Sequence, residues 1–575
     1  MNIFIYFKEI IFSGLEKKYL DVLRYEDIKI EYPKNQEYGD ISTNVAMVIS
    51  KKVATSPIEV TKKLMPSIQH NEFVEKTSIA GAGFINVRLK KSFWHFFLKD
   101  LLELGINYPE MSTGKGEKVN VEFVSANPTG PLHIGHAKGA VFGDTIANLL
   151  SKCGYDVTRE FYINDAGSQI VNLAESLEIR YRQKLGENVE LSDDYYPGEC
   201  LIDIAEKLYA KFGNNLIRFE ESKKEEILKN FAVEEILEII KRDLQELGVY
   251  YDVFTSEKKL INEHKVEQAI DSLKSKNLLY KGILEKPKGK ADEDWKAKEQ
   301  ILFKSTAYGD DVDRAVMKSD GGYTYFASDT AYHFDKIERG YNNMILLLGA
   351  DHIGYKKRLK NVVSALSDKQ AKLNVKICQL VKLLREGKQV KMSKRAGNFI
   401  TLKEVMDEIG KDALRFAILT KSLDTVVDID MEKFKQQTKD NPVFYVQYAS
   451  ARANSILRRA KEIGVNVDNF NPNQVDFSLL NTKYDVDIIK FLALFPKILE
   501  SCVNTLDPHK ITYYLYDLAC IFHQTWSKGA KEDNIKFIIK ENLELTKARI
   551  ALIQSVILVI TEGLKILGIE AVESM

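Results

Sequence analysis

The chain has 575 residues, too many for a single hydrophobic core, so roughly two to four domains are predicted. Lys+Arg and Asp+Glu both number 82, giving no net charge; no global excess of positive charge points to a nucleic-acid partner, and any RNA contact must use local patches. The five cysteines include no pair at CxxC spacing, which excludes zinc-ribbon and thioredoxin readings, predicts no structural metal, and suits a reducing compartment.

In chain order, the apolar start at residues 1–12 is interrupted by Lys8 and Glu9 and lacks a basic segment or small-residue cleavage site, which argues against a signal peptide. Residues 1–110 combine two helical patterns with a glycine turn and an alternating strand at 79–89, predicting a small α+β domain. A new pattern begins at Lys118. A β-rich run at 119–125 leads into a proline- and glycine-containing loop at 126–132, a helical stretch at 135–152, and a second β-rich run at 157–163. Strand, loop, helix, strand is a βαβ unit with a right-handed crossover.

Residues 175–260 read as a charge-laced helical insertion. Strand-like runs return at 324–326 and 344–348, and residues 442–575 read as helical apart from one polar loop at 469–474. The apolar stretch 550–560 is too short to span a bilayer. These features predict a cytoplasmic, membrane-free multidomain α/β protein. Its domains are expected at 1–110, 111–440 and 441–575, with a Rossmann-type parallel sheet in the second and an all-helical third.

Two segments carry chemistry. His133, Ile134, Gly135 and His136 stand where a strand gives way to a helix. There the first helical turn offers unpaired N–H groups and partial positive charge to phosphates, and two imidazoles three residues apart share one side. Gly135 leaves room for a flat base. Two histidines at a helix start, one of them a cap, account for the tetrapeptide equally well. Far downstream, Lys391, Met392, Ser393 and Lys394 lie within a glycine-flanked cationic loop at 388–398. Mobile ammonium groups suit a departing pyrophosphate, whose charge grows in the transition state; taken alone, the run is also an ordinary exposed basic loop.

Together these segments resemble the class I aminoacyl-tRNA synthetases. The longer stretch from Val121 through Ser125, Ala126, Asn127, Pro128, Thr129, Gly130, Pro131 and Leu132 to His136 is similar to the arginyl-tRNA synthetases. So are residues 159–167, 309–311, 323–329, 349–352 and 412–415, and, in the first domain, 39–44 and 81–86.

The resemblance implies arginine activation with ATP and Mg2+, followed by transfer to tRNA, by a monomer. It implies that His133, His136, Lys391 and Lys394 act in catalysis. Residues 126–136 together with Lys391, Met392, Ser393 and Lys394 would hold ATP. Glu122, Tyr325 and Asp329 would approach the guanidinium; Asn127 and His133 the amino-acid head; Asp351 and His352 the nucleotide or amino-acid side. A guanidinium is planar, always charged and carries five donors, so carboxylates are its natural partners. The third domain would bind the anticodon through Tyr445, Tyr448, Arg452, Trp526 and the terminal Met575, and Asn35, Gln36 and Asn86 are polar candidates for the tRNA elbow. A cysteine-type class I enzyme is disfavoured by the lack of a clustered Cys/His set. A non-catalytic RNA-binding paralogue is disfavoured because all four side-chain donors are present.

Overall fold

A computed structural model describes residues 2–33, 35–192, 195–196, 198–285, 298–390, 400–438 and 440–575, the Gln36 side chain excepted. The first domain packs α1 (Ile3–Ser13), α2 (Val45–Val53) and α3 (Pro57–Gln69) on an antiparallel sheet. Its strands are β1 (Ile30–Glu31), β2 (Ile41–Thr43), β3 (Val74–Ala80) and β4 (Phe84–Leu89), in the order β1-β2-β4-β3. The predicted glycine turn joins β3 to β4, with Gly81 and Gly83 at φ +54° and +122°. Such backbone favours glycine, and a Cβ at Gly83 would also meet Pro57 Cβ at 2.8 Å. Asn86 is buried on β4, and Asn35 hydrogen-bonds Glu37. The helix α4 (Lys91–Leu104) leads out of the domain.

The central sheet is fully parallel. Its strands are β5 (Lys118–Glu122), β6 (Asp156–Ile163), β7 (Val253–Ser256), β11 (Asn343–Gly349) and β12 (Lys372–Cys378), in the order β12-β11-β5-β6-β7. From β5 the chain crosses through α5 (Ile134–Lys152) to β6, then through an insertion of α6 (Ser168–Lys184), α7 (Cys200–Phe212) and α8 (Glu221–Glu246) to β7. Only then does it return to β11, on the other side of β5. The order therefore reverses between β5 and β11, and the crevice beyond their carboxyl ends is where such sheets bind ligands.

Between β7 and β11 lie α9 (Glu257–Asn262), α10 (Lys265–Ser275), the antiparallel sheet of β8 (Leu279–Gly282), β9 (Gln300–Phe303) and β10 (Arg314–Met317), and α11 (Tyr325–Glu338). α12 (Tyr355–Leu366) joins β11 to β12. A fourth sheet pairs β13 (Val381–Arg385) with β14 (Lys388–Gln389) and β15 (Val427–Asp430), and α13 (Leu402–Ile409) and α14 (Lys411–Ile418) lie between β14 and β15 in the chain.

The last domain contains α15 (Pro442–Glu462), α16 (Lys483–Leu492), α17 (Phe495–Thr505), α18 (His509–Gly529) and α19 (Leu543–Leu567). By length and composition α19 could cross a membrane, yet 67% of its apolar window is buried, as in the core helix of a packed domain. Apolar side chains of the first domain, the parallel sheet and the helical domain merge into one continuous core.

Three elements differ from the sequence reading. Residues 324–326 are not a strand: Thr324, in extended backbone, precedes the first turn of α11. Aromatic and β-branched residues suit either state, and burial of Phe326, Ala327, Thr330 and Ala331 on one face decides for helix. Val253–Ser256, inside the expected helical insertion, is the edge strand β7, because only pairing with β6 identifies so short a run. The last domain is broken not once but at 463–482, 493–494, 506–508 and 530–542, and α19 is longer than the apolar run that marked it.

Candidate active site

The loop after β5 departs from ordinary backbone at once. Val124 and Ser125 have φ of 67° and 40°, left-handed values that cost roughly 1–3 kcal/mol each and persist where surrounding contacts enforce them. Those contacts are present. The Ser125 hydroxyl donates to Glu122 Oε1 at 3.1 Å and accepts from the Tyr162 N–H at 3.1 Å. Tyr251 donates to the Phe123 carbonyl at 3.1 Å. The tips of β5 and β6 are thereby tied together.

His133 caps α5. Its Nδ1 accepts from the Gly135 N–H at 3.1 Å, and the His133 N–H in turn donates to His136 Nδ1 at 3.3 Å. Both Nδ1 atoms act as acceptors, so each neutral ring carries its proton on Nε2. The rings stack with centroids 4.0 Å apart and 29° between planes. The capping and ligand readings of the tetrapeptide are therefore compatible: capping fixes the tautomer that leaves Nε2–H as a donor. Gly135 has a second purpose that the sequence did not disclose. A Cβ there would stand 2.7 Å from His133 Cε1, so the capping ring needs the space. Asn127 is exposed and accepts from Asn164 at 3.0 Å.

Lys391, Met392, Ser393 and Lys394 lie outside the described residues. Both flanks are described. Val390 N–H donates to the Leu383 carbonyl at 2.9 Å. The chain resumes against the histidine loop: Leu402 N–H donates to Leu132 at 2.8 Å, Ile134 N–H to Ile400 at 3.4 Å, and Thr401 bridges His133.

Beside this loop the structure gathers carboxylates. Glu122, at the tip of β5, is buried, and its Oε2 lies 2.6 Å from Lys336 Nζ on α11. Asp329, one turn into α11, faces Glu122 and Glu257. Burial and those two neighbours, offset in part by Arg358, push its carboxyl up to about 7. Glu257, the first residue of α9, is pushed up by burial and by Asp165, against a hydrogen bond from Ser328. Sequence reasoning missed it. The one available signal was its place immediately after a short β-rich run, the carboxyl end of a parallel strand.

Tyr162 joins the cluster; burial, then Glu257, Asp329, Glu122 and Asp165, hold its hydroxyl far above the usual phenol range. Deeper in, Glu160 accepts from Asn120, Thr255 and Arg339. Despite burial, Lys336 and Arg339 hold it at about 2. Tyr325 is 80% exposed, one turn before Asp329. Asp351 and His352 are exposed beyond β11, 3.4 Å from each other. Thus Glu122 and Glu257 converge on Asp329, Tyr325 is exposed one turn before Asp329, and Asp351 and His352 are exposed just beyond β11.

In the helical domain, Arg452 lies 4.4 Å from the Tyr448 ring centroid and 5.5 Å from that of Trp526. It donates to Tyr448 Oη at 2.6 Å and His523 Nδ1 at 2.8 Å. Burial lowers His523 to about 4, so it is neutral and accepts. Tyr448 is 36% exposed, whereas Tyr445 packs inward on His523 and Tyr516. Met575 is exposed, and its tail is held to α15 by Arg458 donating to the Glu573 carbonyl at 3.1 Å.

Three family models match the chain: "Arginyl tRNA synthetase N terminal domain" at 6–89, "tRNA synthetases class I (R), catalytic domain" at 98–456, and "DALR anticodon binding domain" at 446–575. The arginine–tRNA ligase of Wolbachia pipientis wMel is 49% identical over 579 aligned positions, with both chains fully covered. That of Rickettsia bellii (strain OSU 85-389) is 44% identical, again with both fully covered. Among solved structures, the Thermus thermophilus arginyl-tRNA synthetase superposes with TM-score 0.74 at 20% identity, covering 100% of both chains. The Plasmodium falciparum enzyme gives 0.73 at 19%, covering 100% of this chain and 99% of its own. At those identities the structures speak for the fold alone.

Proposed function

The chain belongs to the arginyl-tRNA synthetases of class I, and from that premise we propose how its residues divide the work. The protein is an arginine–tRNA ligase. With ATP it converts L-arginine to arginyl-adenylate, releasing pyrophosphate, and it passes the arginine to the 3′ end of its tRNA.

The substrate guanidinium enters between Glu122, Glu257 and Asp329. The observation that carries this reading is Asp329, a carboxyl raised to about 7 by burial beside two other carboxylates. Such a site is short of a cation, and an always-charged planar donor supplies one. Tyr325 covers the guanidinium from the mouth. Asn127 and His133 meet the amino-acid head, with Asp351 and His352 on the nucleotide side of the rim.

ATP lies along 126–136. The Nε2–H groups of His133 and His136 and the first N–H groups of α5 meet its phosphates. The arginine carboxylate attacks the α-phosphorus and pyrophosphate leaves, so no protein nucleophile is required, and catalysis consists of positioning and charge stabilisation. Mg2+ accompanies ATP and neutralises phosphate charge. Lys391 and Lys394 reach the leaving pyrophosphate; hydrogen bonding of residues 400–402 to the histidine loop supports their convergence there. Tyr448, Arg452 and Trp526 receive anticodon bases, with Met575 beside them. The enzyme works as a cytoplasmic monomer.

Pyrophosphate exchange across all amino acids, with and without tRNA, tests this reading. Exchange is expected with arginine alone, and only when tRNA is present. Exchange driven by another amino acid rejects the specificity.

A further inference from the structure

The carboxylate pocket contains a resident cation. Lys336 lies two turns beyond Asp329 on α11, with its side chain 1% exposed. Its Nζ stands 2.6 Å from Glu122 Oε2 and 4.2 Å from the Tyr332 ring centroid. The other oxygen of Glu122 accepts from Ser125 at 3.1 Å, so the carboxylate is clamped in one orientation at the tip of β5. A buried ammonium is costly unless paired, and attachment of α11 to the sheet does not depend on this one. Three residues on, Arg339 already joins α11 to β6 through Glu160 at 2.7 Å, and the helix buries Phe326, Ala327 and Ala331.

We propose that Lys336 is a positioning residue for the guanidinium pocket: it orients Glu122 toward the substrate and, with Arg358, supplies the internal positive charge that the substrate completes. The other groups around Glu122 and Lys336 are Glu160 and Tyr162 of β6, Asp329, Tyr332 and His333 of α11 and Arg339 just past its end, with Glu257 of α9 beside Asp329 and Tyr162. His333, lowered to about 4 by burial, is neutral, and Arg339 is committed to Glu160 and Asp335. Removing Lys336 therefore leaves Glu122, Glu257 and Asp329 with Arg358 alone. The inference rests on the pocket reading above.

The test compares Lys336→Met, Glu122→Gln, the double variant and Asp329→Asn in full-length protein. The readouts are aminoacylation with tRNA between about pH 6 and about pH 9, and the thermal unfolding midpoint. Lys336→Met is expected to raise the arginine KM about ten-fold or more, with the ATP KM within about two-fold. It should also move the acid limb of the arginine profile to higher pH, because a cation has left the carboxylates. The double variant should match Glu122→Gln alone, since the lysine acts through that carboxylate.

A purely structural lysine would lower the unfolding midpoint and leave the arginine KM and its pH profile at parental values, which overturns the proposal. Should Lys336→Met not fold, the double variant, free of an unpaired buried charge, decides: an arginine KM equal to that of Glu122→Gln supports the proposal, and a further rise overturns it. An unchanged arginine KM in Asp329→Asn would instead sink the pocket reading itself. A raised KM there with a parental value in Lys336→Met sinks only the role of Lys336.

Discussion

Arg415 and Asp144, 271 residues apart in sequence, meet through a 2.5 Å hydrogen bond inside the protein. Arg415 is fully buried. It also donates to the Leu567 carbonyl at 2.8 Å and the Leu247 carbonyl at 3.1 Å. One guanidinium thus fastens the histidine helix α5 to the ends of α8 and α19. Gly568 stands against it with φ +69°, and a Cβ there would lie 2.1 Å from Arg415 Nη2.

Arg415→Ala leaves two buried carbonyls without their donor and takes from the buried Asp144 its shortest ion pair, leaving it Asn148 and Arg159, which should destabilise the protein by about 3–5 kcal/mol. Urea unfolding of parent and variant measures this. A loss below about 1 kcal/mol would mean that the junction is held by apolar packing alone.

Gly135→Ala drives a Cβ into the His133 ring at 2.7 Å. The ring must leave its cap, and the stacked pair with it. Exchange turnover should fall roughly 100-fold, as when one transition-state donor is lost, and the arginine KM should rise with it, because His133 also meets the amino-acid head. Steady-state kinetics in both substrates separate this from a folding defect, and an unaltered kcat would remove the histidine pair from the mechanism.

Asp329 makes arginine binding pH-dependent. Its carboxyl titrates near pH 7 in the free enzyme, and the guanidinium favours the ionised form. The arginine KM should therefore fall as pH rises through about 7 and level off above it. The stability effect has the opposite sign. A carboxyl raised above its unfolded value keeps its proton longer in the native state, so folding stability declines as pH rises from about 4 to about 7. Asp329→Asn should then be more thermostable than the parent at pH 8, indistinguishable near pH 4, and poor in arginine binding. Equal melting temperatures at pH 8 would contradict the burial of that charge.

The two tyrosines of α15 should behave differently. Tyr448, exposed beside Arg452, is placed to stack on a base, so Tyr448→Ala should weaken tRNA binding by the roughly 1–3 kcal/mol of one stacking contact, with the melting temperature nearly unchanged. Tyr445 packs 4.5 Å from the His523 ring. Its alanine variant should lose stability first. Filter binding and thermal unfolding give the two readouts, and the reverse pattern would exchange the roles.

Lys394→Ala should lower exchange roughly 100-fold while tRNA affinity remains within about two-fold. Parallel loss of both would count against pyrophosphate stabilisation.

Much of this protein could be read from its residues in order. The βαβ unit, the helix beginning at His133, the glycine hairpin of the first domain and the helical end all rest on local periodicity and turn chemistry, which neighbouring residues impose. The segments 121–136 and 323–329 were legible because their chemistry is contiguous. The helical state of α11, which puts Tyr325 and Asp329 on one face, was decided by burial, since residues 324–326 read locally as strand-like.

Other features depend on residues that only folding brings together. The strand β7 exists because β6 offers it an edge. Glu257 joins the pocket because β7 delivers it there, and Lys336 because α11 lies across β5. The elevated carboxyl of Asp329 and the tautomers of His133 and His136 are likewise set by neighbours distant in sequence or by the geometry of a capped helix. Sequence alone determined the chemical groups and the elements that carry them. The distances, burial and ion pairing that give those groups their strength came from tertiary structure, because electrostatic energies depend on separation and desolvation, which no local pattern records.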